Sequence, residues 1–325
     1  MQKRESLKTP VLLLCFNRPE KTQRVFDSIR AARPTKLYVA VDAPREGRQD
    51  DIENNNTVKS IVKNVDWPCE AHYLCQEKNI GCAKSCVTAW NWVFEHEDRA
   101  IVIEDDGVGS LDAFYFVEDM LEKYKDDERI AYVGTVNYGP KFGEASYFFS
   151  HTPGPTYFMG TWKRVQNLYE FHLDSYNKCK RELVYHFYNE KALLNAQFAA
   201  YVESIKQGRP YNTADLQLLY LTYKYDMLCI NPNVNLTSNI GLEGGANNAV
   251  PVNSKFYKEY GNRKTEEIDT IKHPEFIGID YDFEEKFFKK RNLYMKSLAS
   301  VLGKIYFLRY FGGFYKKYIK PLRRR

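Results

Sequence analysis

No apolar run in the 325-residue chain approaches the roughly 18 residues that a membrane-spanning helix needs. The glycine signatures of two nucleotide folds are missing as well: no G-x-G-x-x-G follows a strand-like run, and G-x-x-x-x-G-K-[ST] occurs nowhere. GLEGGANN (241–248) is Gly-rich but fits neither pattern, so dinucleotide dehydrogenases and P-loop NTPases lose their support. Cysteines number only seven, scattered and odd, which argues against a disulfide framework and for reduced thiols in a cytosol. Cys82 and Cys86 stand at i, i+4, but no second Cys/His pair lies nearby to complete a zinc site. The opening MQKRESLKTPVLLLCFNRPE puts bases ahead of an apolar run too brief for a signal-peptide core, and it reads as a first strand. Repeats and low-complexity linkers are also absent. The expectation is one domain over 1–255, with an extension over 256–325.

What is present is a globular composition, 44% hydrophobic, with a high aromatic content of 15% from 25 Tyr, 20 Phe and 4 Trp. The net charge of +5 hides an asymmetry. Residues 286–325 hold 13 Lys or Arg and no acid, so the rest carries 34 bases against 42 acids, a net −8. That tail also holds ten Phe or Tyr. Basic, aromatic-rich segments suit an anionic membrane surface, where each cation contributes about 1 kcal/mol. The alternative is a helix whose rings pack on the body while its charges stay in water. An acidic body would repel phosphate backbones, so nucleic acid is not an expected partner. The expected location is the cytoplasm, with the tail as a possible peripheral contact to the inner face of the membrane.

Apolar runs and helical spacings alternate along the first hundred residues. Strands are expected at 10–16, 36–42, 70–76 and 100–104, and helices at 19–32, 51–65 and 82–97. This order predicts βαβ units, a mostly parallel buried sheet, and ligands beyond its carboxyl edge. Ser110 suits the cap of a helix over 111–124, and RIAYVG, ASYFFS and MLCINP read as further strands. Helical spacing is expected over 161–172, 181–207 and 214–225.

Polar groups follow each of the first four strands: Asn17-Arg18-Pro19, Asp42-Ala43-Pro44-Arg45, Asn79-Ile80-Gly81 leading to Lys84, and Glu104-Asp105-Asp106. Four such turns along one sheet edge point to a site. Three adjoining acids need an offset, because crowded carboxylates either raise their pKa or recruit a cation. In an extended chain Glu104 and Asp106 share a face and Asp105 points away. Mg²⁺ or Mn²⁺ takes one or two protein carboxylates and fills its other positions with phosphate and water, so the acids suggest a metal-bound diphosphate. The plain alternative is a solvated strand end whose acids favour the next helix's N-terminus.

PVLLLCFNRPEKTQRVFDSIRAARPTKLYVAVDAPR, EKNIGCAKSCVTAWNWVF, IVIEDDGVGSLDAFYFVEDMLEKYKDDERI, YFMGTWKR, ADLQLLY and INPNVNLTSNIG together resemble bacterial GT-A glycosyltransferases related to N-acetylglucosaminyltransferase I, over about residues 9–250. The resemblance implies a Rossmann-like GT-A fold and an inverting transfer of a sugar from a nucleotide-diphosphate donor, a UDP-sugar. The acceptor would be a hydroxyl of a glycan or a lipid-linked molecule, as in surface polysaccharide or lipopolysaccharide assembly. It implies Arg18 at the diphosphate, Asp42 at the nucleobase, Lys84 near the nucleotide, Glu104 and Asp105 at nucleoside and sugar, Asp106 as the Mn²⁺ or Mg²⁺ ligand, and Asp215 as general base. Asn239-Ile240-Gly241 would open the loop that closes over the donor. Two departures stand out: Ala214 replaces an aromatic, and Asn248 stands where a His is expected. Two rival readings remain open. One is a sugar-phosphate nucleotidyltransferase, which usually has a glycine-rich basic loop after its first strand, and FNRPEKTQ has no glycine. The other is a non-catalytic sugar or nucleotide binder.

Overall fold

The computed structural model describes residues 4–179, 192–208, 214–243 and 250–286. Its elements follow in chain order as β1 Val11–Cys15, α1 Pro19–Ala32, β2 Lys36–Val41, α2 Gln49–Val62, β3 Glu70–Cys75, α3 Cys82–His96, β4 Arg99–Glu104, β5 Gly107–Gly109 and α4 Leu111–Lys123. After these come β6 Ile130–Gly134, β7 Tyr147–Ser150, β8 Phe158–Trp162, α5 Lys163–Gln166, α6 Ala192–Lys206, α7 Asp215–Lys224, β9 Leu228–Pro232, β10 Thr237–Asn239 and α8 Lys255–Tyr260.

Eight strands form the central sheet in the order β3-β2-β1-β4-β8-β6-β9-β7. β1 pairs in parallel with both β2 and β4, and β6 with β9, while β8 and β7 run antiparallel to their neighbours. The fold is therefore the expected α/β class, a mostly parallel sheet flanked by helices. Every residue of β1 is buried, which is why VLLLC reads as an unbroken apolar run. Each of its fully buried leucines contributes roughly 1.5–3 kcal/mol. On α1, Val25, Phe26, Ile29 and Ala32 turn inward at helical spacing; Pro19 starts the helix, and Arg33 ends it at φ 50° with its N–H on the Ile29 carbonyl.

Chain order sets the site. From β1 the chain steps outward to β2 and β3, then returns past β1 to place β4 on its other side. Right-handed crossovers put α1 and α2 on one face and α3 on the other. The carboxyl ends of β1 and β4 therefore flank the point where the winding reverses, the place where open α/β sheets bind their ligands.

Two expectations need correction. Thr161 and Trp162 belong to β8, and only Lys163–Gln166 is helical in the stretch expected as a helix over 161–172. All five β8 residues are buried, so FMGTW shows no alternation to mark it as a strand. Its Gly160 lets α4 lie close, since a Cβ there would crowd Val117 and stand 3.1 Å from Leu121 Cδ1. Secondly, the helix expected at 51–65 spans 49–62. Beyond these, β5 and β10 form a two-stranded ribbon that three-residue segments gave no periodicity to reveal. The helix expected over 181–207 is described only for α6.

Residues beyond α8 return along the body. The Asn262 N–H binds the Asn239 carbonyl, the Glu266 N–H binds the Asn235 carbonyl, and Ile279 bridges to Phe149 on β7. Glu284 accepts from the His151 N–H at 2.6 Å. The basic tail beyond residue 286 lies outside the described residues.

Candidate functional site

Arg18 stands at the end of β1, directly before the Pro19 that begins α1. Its Nη1 donates to Asp106 Oδ2 at 2.9 Å, and its Nη2 donates to Asp105 Oδ1. The three side chains are 25%, 13% and 5% exposed for Arg18, Asp106 and Asp105. Burial works against the Arg18 cation, yet the two carboxylates outweigh it and its pKa rises. Asp105 is pulled down by Arg18 but pushed up more by burial, so its pKa is raised. Half-buried Glu104 is pushed well above the ordinary glutamate value by burial, then by the charges of Asp106 and Asp215.

Asp105 and Asp106 form a turn after β4, and the alternation of an extended strand ends there. Both therefore face the same guanidinium, which corrects the expectation that Asp105 points away from Asp106. The positive group seated among the acids is Arg18. Among the described residues, Asp105 Oδ2 and Asp106 Oδ1 are buried with no hydrogen-bond partner. Lone pairs so enclosed are costly unless something binds them.

The β5–β10 ribbon closes the corner from the other side. Gly107 pairs with Asn239, and the Ile240 N–H binds the Asp106 carbonyl at 2.9 Å. Gly241 follows, where a Cβ would stand 2.6 Å from Asp106 Cγ. Only glycine fits there without moving the carboxylate. Lys21, one turn beyond Arg18 on α1, donates to the Gly241 carbonyl at 3.4 Å and the Glu243 carbonyl at 2.8 Å. Its i, i+3 spacing from Arg18 was the signal available in the sequence. Asn248, with all of residues 244–249, lies outside the described residues.

Asp42 serves the same edge differently. Its Oδ1 accepts from the Ala43 N–H at 2.9 Å and the Ile80 N–H at 3.1 Å; its Oδ2 accepts from the Gly81 N–H and Asn79 Nδ2, each at 3.2 Å. These fill the roughly four acceptor positions of a carboxylate. The geometry is that of an anchor holding the β3–α3 turn against β2. Gly81 in that turn has φ 82°, a conformation that favours glycine. Lys84 stands exposed on the first turn of α3, and among the described residues no ion pair joins it to the acids.

Asp215 begins α7 and accepts from Thr156 Oγ1 at 2.7 Å. Its charge reaches Glu104 and Cys82, so the fold brings it to the same edge as the acidic corner. Thr156 had no signal in the sequence, because its role depends on two distant segments meeting.

A divalent ion can be tested against this donor set. Among the described residues no group of three or more His, Cys, Asp or Glu forms a ready cage. One carboxylate with a buried, unpartnered oxygen does suit an ion that arrives with phosphate and water as its other ligands. The residues fit a metal shared with a diphosphate and do not form an all-protein site.

No protein-family model matches the chain, and no curated protein matches it. Among solved structures it is similar to HddC from Yersinia pseudotuberculosis at 14% identity and a TM-score of 0.33, covering 51% of this chain and 84% of that one. A second structure, HddC complexed with GMP-PN, shares 11% identity with a TM-score of 0.32, over 48% of this chain and 77% of that one. A UDP-glucose pyrophosphorylase complexed with UDP-glucose shares 9% identity with a TM-score of 0.27, over 49% and 70%. Such likenesses reach half of this chain and say nothing of its reaction.

Proposed function

We propose that the protein is an inverting glycosyltransferase that moves a sugar from a nucleotide-diphosphate donor, a UDP-sugar, to a hydroxyl of a glycan or lipid-linked acceptor. The observation that carries this reading is the corner itself. At the point where the sheet reverses its winding, a cation from the end of β1 sits on two acids from the end of β4, and one buried oxygen of each acid has no partner among the described residues. Arg18 would leave its carboxylates to meet the donor's phosphates, offsetting negative charge that grows on the departing diphosphate. Asp106 would hold Mn²⁺ or Mg²⁺, which when bound supplies further charge neutralisation at the leaving group. Asp215 would accept the proton of the attacking hydroxyl, with Thr156 fixing the carboxylate's orientation. Lys21 and Gly241 would let the 241–243 segment lie over the same phosphates. Asp42 would act by positioning the Asn79–Gly81 turn, and Lys84 would reach the nucleotide from α3. Glu104, its pKa raised by burial and neighbouring charge, would hydrogen-bond to donor hydroxyls.

Residues 286–325 would hold the enzyme on an anionic membrane beside a lipid-linked acceptor, and co-sedimentation with phosphatidylglycerol liposomes should fall when they are removed.

The test is a panel of nucleotide sugars scored for thermal stabilisation with Mn²⁺, followed by donor hydrolysis without acceptor. One UDP-sugar should stabilise the protein and be slowly cleaved to UDP. Release of pyrophosphate from a nucleoside triphosphate and a sugar phosphate would instead establish the nucleotidyltransferase. Binding with no cleavage would leave a binder.

A further inference from the structure

A ladder of four aromatic rings leads outward from the acidic corner. Tyr157 precedes β8, and its carbonyl accepts from the Glu104 N–H at 2.9 Å. Its ring covers Gly107, the residue after Asp106, where a Cβ would stand 3.0 Å from Tyr157 Cδ2. The Tyr157 hydroxyl shares a 2.8 Å hydrogen bond with that of Tyr138. Tyr138 meets Tyr260 edge to face with centroids 4.9 Å apart, and Tyr260 meets Phe256 at 4.7 Å. The Arg263 guanidinium lies 5.7 Å from the Tyr138 ring centroid.

Phe256 and Tyr260 are an i, i+4 pair on α8, and Phe256 is 48% exposed. The same helix turns Tyr257 inward to Glu243, so its orientation is set by the segment that passes Asp106. A single exposed ring means little. Here the rings run continuously from water at Phe256 to the residue beside Asp106. Burial raises both the Tyr138 and Tyr157 hydroxyls, and at Tyr157 the neighbouring Tyr138 oxygen adds to it. Both keep their protons and stay neutral.

A pyranose has an apolar C–H face and a rim of hydroxyls. Flat rings bordered by phenol and guanidinium donors match both features. We propose that this ladder is the acceptor subsite: a sugar ring of the acceptor glycan lies against Phe256 and Tyr260, with Arg263 donating to its hydroxyls. This rests on the sugar-transfer reading of the acidic corner, since a ladder beginning beside Asp106 would lead the acceptor to the donor sugar.

The experiment uses the full chain loaded with UDP and Mg²⁺. N-acetylchitotriose, cellotriose and lactose are the glycan probes, read by saturation-transfer NMR, and the UDP-induced melting shift is followed in parallel. At least one glycan should bind the wild type. Phe256→Ala should weaken it about five-fold or more, as loss of one aromatic contact implies, while the UDP shift stays unchanged. Tyr260→Leu should do the same. The inference is overturned if no probe binds, if Phe256→Ala binds as tightly as wild type, or if uridine displaces the glycan. Loss of the UDP shift in the wild type itself would defeat the transferase reading, and the glycan result would still decide the ladder.

Discussion

Replacing Arg18 with Gln would leave Asp105 and Asp106 facing each other without their cation. Their side chains are 5% and 13% exposed and Arg18 is 25% exposed, so water screens this cluster weakly. Breaking one partner out of a buried ion pair costs about 3–5 kcal/mol, because an uncompensated charge stays inside. At about 2 °C per kcal/mol for a large domain, the melting temperature should fall by about 6–10 °C at pH 7.5. The sign of the pH dependence follows from Asp105, whose folded pKa is raised even with Arg18 present. Without Arg18 it rises further, and a raised acid loses stability as pH climbs through its folded pKa. The deficit of Arg18→Gln should therefore be largest at neutral pH and shrink toward pH 4. A double-mutant cycle separates the pair from general damage: in an Asp105→Asn background the cost of losing Arg18 should fall by about 1 kcal/mol or more. Differential scanning calorimetry across pH 4–8 reads all of this. An Arg18→Gln protein that melts with the wild type at pH 7.5, or whose deficit is the same in both backgrounds, refutes the reasoning.

Other substitutions probe separate parts of the edge. Asp215→Asn should lower turnover about 10²–10⁴-fold while UDP affinity by calorimetry changes little, and undiminished turnover would remove it as the base. Glu104→Gln should raise the melting temperature at pH 7–8, since the folded state holds that proton well above the ordinary glutamate pKa. The stability gained by protonation is complete below about pH 4.5 and is lost as pH climbs through the folded pKa, so the variant should also show a flatter curve above that pH. Gly241→Ala should push Asp106 aside, so its Mn²⁺-dependent UDP affinity should drop while affinity without metal stays nearly constant. Equal metal dependence in that variant would show that Asp106 has room to spare.

The sequence determined the alternation of βαβ units, because an apolar run such as VLLLC and a helix face such as Val25, Phe26 and Ile29 are local patterns. It also placed Arg18, Asp42, Glu104, Asp105 and Asp106 on one sheet edge, since in a parallel sheet the residues after successive strands emerge together. Only the tertiary structure decided what those groups touch. The turn at Asp105-Asp106 points both acids at Arg18, Asp42 is consumed by the Asn79–Gly81 turn, and Thr156 reaches Asp215 across 59 residues. The strand β8 and the ribbon β5–β10 were equally illegible, because their identity lies in partners far along the chain. Periodicity reports which face of a segment is apolar; it carries no record of which distant segment completes a hydrogen bond or an ion pair.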